Sequence, residues 1–308
     1  IAPLAIASDG GGSTRIPAAC NGVVGLKQSI GVVPHSQVED AFSNLTYVTP
    51  TTRPVAATAL MPQAMAGADA SDPWSCGGPV PDFSAGLHAP GGLEGTRIAV
   101  CLAPPGRPVS AAVASAFEAS LAHLRNLGAE LVEFSGEGFD VEEAWRTINH
   151  TVWRTRFGAM ARERPQDLSP SLLQQLALAS EVSGADYQRA MFARTRLFRR
   201  VQGLLEANLF LAVPTLSRTA LPIDQVLFGT LEIDGRVLPE VRPNWFPWTM
   251  PFNMSGHPAI SLHNGFDTGG LPTAIQLVGR LRGEPELLRL AHLLEAEHAL
   301  LSHRPPLS

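Results

Sequence analysis

Lysine is almost missing from this chain: Lys27 stands alone against twenty-two arginines. Cysteine is scarce too. Cys20, Cys76 and Cys101 are odd in number, widely spaced and free of any C-x-x-C, which argues against a disulfide scaffold or zinc site and suits a reduced, cytoplasmic protein. No uninterrupted apolar run is long enough to span a bilayer, and no segment reads as a signal peptide, so no membrane is expected as a partner. A net charge of −5 supplies no electrostatic footprint for nucleic acid. The nine histidines are scattered. His257 and His263 would share a face if their segment is a strand, but no acidic residue or cysteine stands near them, and no metal is expected. Charged residues make up only 17% of the chain, while 28 glycines and 26 prolines point to a loop-rich globular fold.

Against these absences, one stretch stands out: Ile6-Ala7-Ser8-Asp9-Gly10-Gly11-Gly12-Ser13-Thr14-Arg15-Ile16-Pro17-Ala18. It is not a phosphate-binding loop, because no lysine follows the glycines. It is not a dinucleotide fingerprint either, because Arg15 stands where a third spaced glycine is needed. Three consecutive glycines let another molecule approach the main chain closely. Placed before a hydroxyl residue, they surround one side-chain oxygen with backbone N–H groups. Acyl transfer needs that combination of a nucleophile and donors facing the charge that develops on the substrate's carbonyl oxygen.

The stretch continues as Cys20-Asn21-Gly22-Val23-Val24-Gly25-Leu26-Lys27-Gln28-Ser29-Ile30-Gly31-Val32-Val33-Pro34. From Ser8 to Pro34 it resembles the core of the amidase signature family, approximately G-S-D-x-G-G-S-x-R-x-P-A-x-x-x-G-x-x-G-L-K-P-T-x-G-x-V-P. Two later runs carry the same resemblance. Trp248 to Ser261 is similar to T-x-P-x-N-x-x-G-x-P-A-x-S, and Gly270 to Gly279 to G-L-P-x-x-x-Q-L-x-G. Pro54 to Ala66 resembles a helical family segment but departs from it at Thr49, Thr51, Ala57 and Pro62.

Periodicity supplies the rest of the chain. Pro17 suits the opening of a short helix. Residues 35–50 read as loop. Pro54 to Ala66 reads as a helix stopped at Gly67, with Thr52 as its cap, and Pro62 is expected to end or kink it early. Thr96–Leu102 reads as a buried strand. Ser110 caps a helix to Leu127 with Val113, Phe117, Leu121 and Leu124 on one face, Gly128 stops it, and Ala129–Phe134 forms a second strand. That order implies a parallel crossover. Glu142–Met160 and Tyr187–Leu205 are helices with an arginine-rich solvated face and an apolar core face. Leu209–Val213 is a strand, and Glu284–Leu301 closes the chain as a helix. Residues 216–242 are a variable insertion without readable chemistry. Trp245, Phe246, Trp248 and Phe252 suit an apolar pocket or the core. The expected fold class is α/β: a mixed, largely parallel central sheet covered by helices, forming one domain over residues 1–308 that is incomplete at its N-terminus and therefore exposes apolar surface.

The resemblance implies roles. Ser13 matches the nucleophile of an amide hydrolase acting on a small or aryl amide. Backbone N–H groups of Gly10, Gly11, Gly12 and Ser13 match the oxyanion hole. Asp9 and Arg15 match positions that brace the turn. No cofactor is implied, and a homodimer is compatible with this reading. The family activates its serine through a second, bridging serine and a lysine, both upstream of the nucleophile. Only twelve residues precede Ser13, Ser8 is not in an S-S-G-G-S-like run, and Lys27 matches the G-L-K position instead. The base is therefore expected to be absent, and the 308 residues alone to be poor amidases, with a histidine relay as the fallback. A C-terminal part of a complete amidase accounts for this, as the opening Ile suggests; a non-catalytic scaffold or binding member is the alternative. Within the family, the amidase subunit of a tRNA-dependent amidotransferase is the second functional reading.

Overall fold

The computed structural model describes residues 3–179 and 181–304. In chain order, strand β1 (Leu4–Asp9) turns into helix α1 (Arg15–Asn21), followed by β2 (Val24–Lys27), β3 (Tyr47–Thr52) and α2 (Val55–Met65). Then come β4 (Arg97–Val100), α3 (Ala111–Asn126), β5 (Glu130–Glu133), α4 (Glu142–Glu163), α5 (Pro170–Leu178), α6 (Gly184–Ala207) and β6 (Phe210–Pro214). The chain continues through β7 (Leu231–Ile233), β8 (Arg236–Leu238), α7 (Arg242–Trp245), α8 (Met250–Ser255), β9 (Ala259–Phe266), β10 (Pro272–Val278) and α9 (Glu284–His298).

Eight strands form one mixed sheet in the order β1-β3-β2-β9-β10-β6-β4-β5. The α/β class is as expected. Parallel pairing, however, is confined to the flank where β4 pairs with β5 and β6, and the ladders from β1 across to β6 are antiparallel. The physical reason lies in the connections. The β4–α3–β5 crossover enforces parallel strands, whereas β9 and β10 are joined by a short turn around Asp267–Gly270 and must run antiparallel.

Successive residues of the central strands enter opposite cores, as a pleat of period two requires. On β6, Phe210 and Ala212 join the core with α2, α3 and α9, while Leu211 and Val213 join the core with α4, α6 and α8. Ser110 caps α3 by accepting from Val113 N at 3.4 Å, and Val113, Phe117, Leu121 and Leu124 are all buried, as their spacing predicts.

Three expectations need correction, and the 216–242 insertion gains a structure. The loop assigned to residues 35–50 includes the start of β3, which lies between β1 and β2. Thr52 does not cap α2; its hydroxyl donates to Pro54 O at 3.0 Å, and the first N–H of the helix, Val55 N, is taken by Glu295 Oε1 of α9 at 2.8 Å. Pro62 neither ends nor cuts short the helix, which continues to Met65; the buried ring sits inside it, and Ala66 N closes the last turn on Pro62 O at 2.7 Å. Residues 216–242 hold a two-stranded hairpin, β7–β8, turned by Asp234 and Gly235 at φ 47° and 79°. Positive φ at both central residues is the turn that matches strand twist. No helix among the described residues is long and apolar enough to cross a membrane.

Candidate active site

The glycine turn lies where β1 ends and α1 begins. Asp9, the last residue of β1, is fully buried and supplies the turn's internal anchor. Its Oδ1 accepts from Gly12 N at 2.7 Å and its Oδ2 from Thr14 N at 3.3 Å. Arg15 closes on it from the start of α1, with Nε 3.0 Å from Oδ2 and Nη2 3.0 Å from Oδ1. Burial by itself would raise the Asp9 carboxyl. The Arg15 guanidinium and hydrogen bonds from Arg15 and Asn253 outweigh it and hold the group down to about 2.

Each carbonyl of the turn is also held. Asp9 O accepts from Asn253 Nδ2 at 2.8 Å, Gly10 O from the Trp145 indole at 2.7 Å, Gly11 O from Thr249 Oγ1 at 2.7 Å, and Gly12 O from Ile16 N at 2.7 Å. In a trans peptide the N–H points opposite to the C=O. Pinning these four carbonyls therefore orients the N–H groups of Gly10, Gly11, Gly12 and Ser13. Gly12 N–H is spent on Asp9, which removes it from the four expected donors. The N–H groups of Gly10, Gly11 and Ser13 make no hydrogen bond within the described residues. Gly12 has φ +128°, and a Cβ on it would lie 2.5 Å from Thr249 Oγ1. Only glycine fits there.

Ser13 itself is exposed at the head of α1, and its hydroxyl makes no hydrogen bond among the described residues. The side chain after it, Thr14, is buried and bonds to Thr49 on β3 through the two hydroxyls. The nucleophile candidate thus projects from a turn whose neighbours are all tied down.

Three of the bracing side chains come from elements remote in sequence. Asn253 of α8 donates to Asp9 O, to Asp9 Oδ1 at 2.9 Å and to Leu45 O at 3.2 Å, and accepts from Arg15 Nη2 at 2.5 Å. Gln276 of β10 accepts from Arg15 Nη1 at 2.7 Å and donates to Trp248 O at 3.0 Å. Thr249 lies at the entry to α8. The T-x-P-x-N and G-L-P-x-x-x-Q runs contain all three residues, so their signal was in the sequence without an assigned partner. Trp145 carried no such signal.

Lys27 makes no hydrogen bond to this turn. It is fully buried at the end of β2, where Nζ donates to Gln28 O at 2.8 Å and stands 3.9 Å over the Tyr47 ring. Burial, then the charge of Arg15, hold its ammonium well below the ordinary amine range. The histidines do not come together around Ser13 either. His257 precedes β9 and meets Gln202 Oε1 at 3.2 Å, while His263 on β9 meets Thr273 O at 3.1 Å. Among the described residues, no group of three or more His, Cys, Asp or Glu is arranged to hold a metal ion.

The aromatic run divides between roles. Trp248 and Phe252 are core residues packed on Phe139, with ring centroids 5.3 and 6.3 Å away, rather than pocket walls. A cavity of about 340 Å³ opens at the far end of α1, lined by Cys20, Val24, Arg53, His263, Phe266 and Glu295 among others, and Ser13 does not reach it.

Known proteins are similar to this chain in sequence and in fold. The chain is similar to an acylamidase of Rhodococcus erythropolis, at 31% identity over 99% of this chain and 63% of that protein. It is similar at 30% identity to a glutamyl-tRNA(Gln) amidotransferase subunit of Synechococcus sp. (strain WH7803), over 97% of this chain and 65% of that protein. The chain thus spans a little under two thirds of these relatives. The fold matches the crystal structure of a bacterial aryl acylamidase of the amidase signature enzymes with a TM-score of 0.84 and 24% identity, over 99% of this chain and 65% of that one. The family model described as Amidase matches residues 1–288, glycine turn and both later motifs included. On that match, this chain belongs to the amidase signature family.

Proposed function

We propose that Ser13 is the nucleophile of a site that hydrolyses a small or aryl carboxylic amide through an acyl-enzyme. One observation carries the reading: the carbonyls of Asp9, Gly10 and Gly12 are all held by other groups, while the opposite N–H groups at Gly10, Gly11 and Ser13 have no partner among the described residues beside an exposed serine. In the reaction, Ser13 Oγ attacks the amide carbon and its proton passes to a base. The carbonyl oxygen takes up negative charge against those N–H groups, where one donor typically contributes about 3 kcal/mol to the transition state. The tetrahedral species collapses, the C–N bond breaks, and the amine leaves with a proton. Water then releases the acid from the serine ester.

Among the described residues no base is hydrogen-bonded to Ser13, and Lys27 Nζ donates to Gln28 O instead. The bridging serine and lysine that the resemblance implies upstream of the nucleophile are read here as having no match in these 308 residues. These 308 residues alone are accordingly expected to be weakly active. Asp9 and Arg15 exchange no proton; they hold the turn. The similarity to glutamyl-tRNA(Gln) amidotransferases supports a second reading, in which the amide is glutamine and the product ammonia is handed to a partner.

The test compares the 308-residue chain with the product of the full reading frame that encodes it. A fluorophosphonate should label Ser13 in the full-frame product, found by peptide mass spectrometry, and Ser13→Ala should remove the label. Hydrolysis of an aryl acylamide there supports the first reading. Ammonia release from glutamine, with an aryl acylamide untouched, supports the second. A full-length product that never labels at Ser13 leaves only the binding or scaffold role.

A further inference from the structure

We infer that Trp145 is a positioning residue for the oxyanion hole, a role that rests on Ser13 being the nucleophile. It acts on the peptide between Gly10 and Gly11. The carbonyl of that peptide is the one in the turn held by an indole, Trp145 Nε1, at 2.7 Å. Its N–H, on the opposite edge of the same plane, has no partner among the described residues. Whatever sets the carbonyl direction sets the direction of that donor. Trp145 also limits Gly11 by contact, because a Cβ built there would lie 2.8 Å from its Cζ2 and 3.1 Å from its Cε2. The indole thus fixes the peptide by one hydrogen bond and by bulk against the adjacent glycine.

The ring is itself held firmly. Trp145 sits in the first turn of α4, only 6% exposed. The Arg242 guanidinium lies 5.3 Å from its ring on one side, and His150 meets it edge-on at 6.2 Å. Arg242 is buried too and donates through Nη2 to Gln175 Oε1 at 2.5 Å, which ties the cation to α5. A cation over an indole face is the strongest of the aromatic–cation pairings, and desolvation strengthens it. Tryptophan is the aromatic residue whose nitrogen only donates, so it can address only an acceptor, here the Gly10 carbonyl. The hydrogen bond, the bulk and the brace converge on one donor of the proposed hole. Trp145 touches no reacting atom; it acts through the peptide.

The experiment uses the product of the full reading frame, with p-nitroacetanilide as substrate and fluorophosphonate as the Ser13 probe. Trp145→Phe keeps an aromatic ring and removes the N–H. It is expected to lower kcat and the labelling rate about 10- to 100-fold, less than or equal to loss of a whole donor, with KM within twofold. Binding of an alkyl boronic acid, whose tetrahedral adduct places an oxygen in the hole, should weaken by the same factor. Gly11→Ala should lose activity by displacing the indole, and adding Trp145→Phe to it should cost little more. Arg242→Gln, which leaves the indole N–H in place, serves if Trp145→Phe fails to fold; a fall in kcat and boronate affinity at unchanged KM supports the role. Wild-type kcat in Trp145→Phe, a change in KM alone, or independent multiplying losses in the Gly11→Ala pair overturn it. Labelling separates the two readings. If wild type labels at Ser13 and Trp145→Phe behaves as wild type, only the role of Trp145 falls; if wild type never labels, both fall.

Discussion

Arg15 grips both carboxylate oxygens of Asp9, at 3.0 Å each, with neither side chain exposed to solvent. The pair encloses the glycine turn between its two members, so every backbone atom from Gly10 to Thr14 lies inside a loop closed by charge. Two further bonds, to Gln276 on β10 and Asn253 on α8, join that loop to the sheet and to α8.

Removing the carboxylate leaves the buried Arg15 charge without its partner, so Asp9→Asn should destabilise the fold by about 3–5 kcal/mol in urea unfolding. Arg15→Lys keeps the charge and loses the fork, and should cost a smaller but measurable amount. Lysine cannot reproduce the fork that reaches Asp9, Asn253 and Gln276 together. Wild-type stability in Arg15→Lys would show that charge alone suffices.

Acid should unfold the protein in two stages. His257 is held down to about 3, by burial first and then by the charge of Lys27, and His150 to about 4, by burial first and then by Arg242. The unfolded chain takes up these protons near pH 6.5 and the folded one does not, so stability falls as pH drops from 6.5 toward 4. Asp9 behaves as a depressed carboxyl: its stabilisation is complete above its unfolded value of 3.8 and disappears as pH falls through about 2. Urea midpoints at pH 7, 5 and 3 measure both stages. His257→Gln should flatten the first and leave the second.

Glu295 gives the opposite sign. Burial raises its carboxyl to about 7, and the hydrogen bond from Val55 N only partly offsets this. Between pH 4.5 and 7 the folded carboxyl keeps a proton that the unfolded one has released, so stability is lost as pH rises through that window. Glu295→Gln retains an acceptor for Val55 N. It should gain roughly 1 kcal/mol at pH 8 and match wild type near pH 4. An equal effect at both pH values would rule out titration as the cause.

Gly31 is a backbone requirement rather than a convenience. Its φ is +77°, and a Cβ there would lie 1.9 Å from Trp74 O. Gly31→Ala combines left-handed strain with a clash against main chain and should cost about 3 kcal/mol. A melting temperature unchanged from wild type would show that the Trp74 segment yields.

Much of the site was legible because its members are neighbours in sequence. Asp9, the glycines, Ser13 and Arg15 lie within seven residues, and the chemistry of such a turn depends on residue types and local backbone freedom. The β4–α3–β5 unit was legible for the same reason, since periodicity, an N-cap and a stop glycine are local signals. The β7–β8 hairpin also had a local signal, the Asp234-Gly235 pair, but strands of only three residues give a period-two pattern too little length to stand out. Thr249, Asn253 and Gln276 stood in quoted motifs, but a motif does not say which carbonyl a side chain will hold.

By itself the sequence determined which residues are candidates for nucleophile and brace, and the strand–helix–strand order of β4–α3–β5, because those depend on short-range sterics and side-chain chemistry. Tertiary structure alone decided which N–H groups remain free. That outcome depends on Asn253 and Trp145, 244 and 135 residues away from the atoms they hold, reaching particular carbonyls of one turn. It also decided that α2 is capped by Glu295 from α9 rather than by Thr52. Hydrogen bonds between distant segments form only where the sheet and its two cores bring them within about 3 Å, and no local pattern encodes that approach.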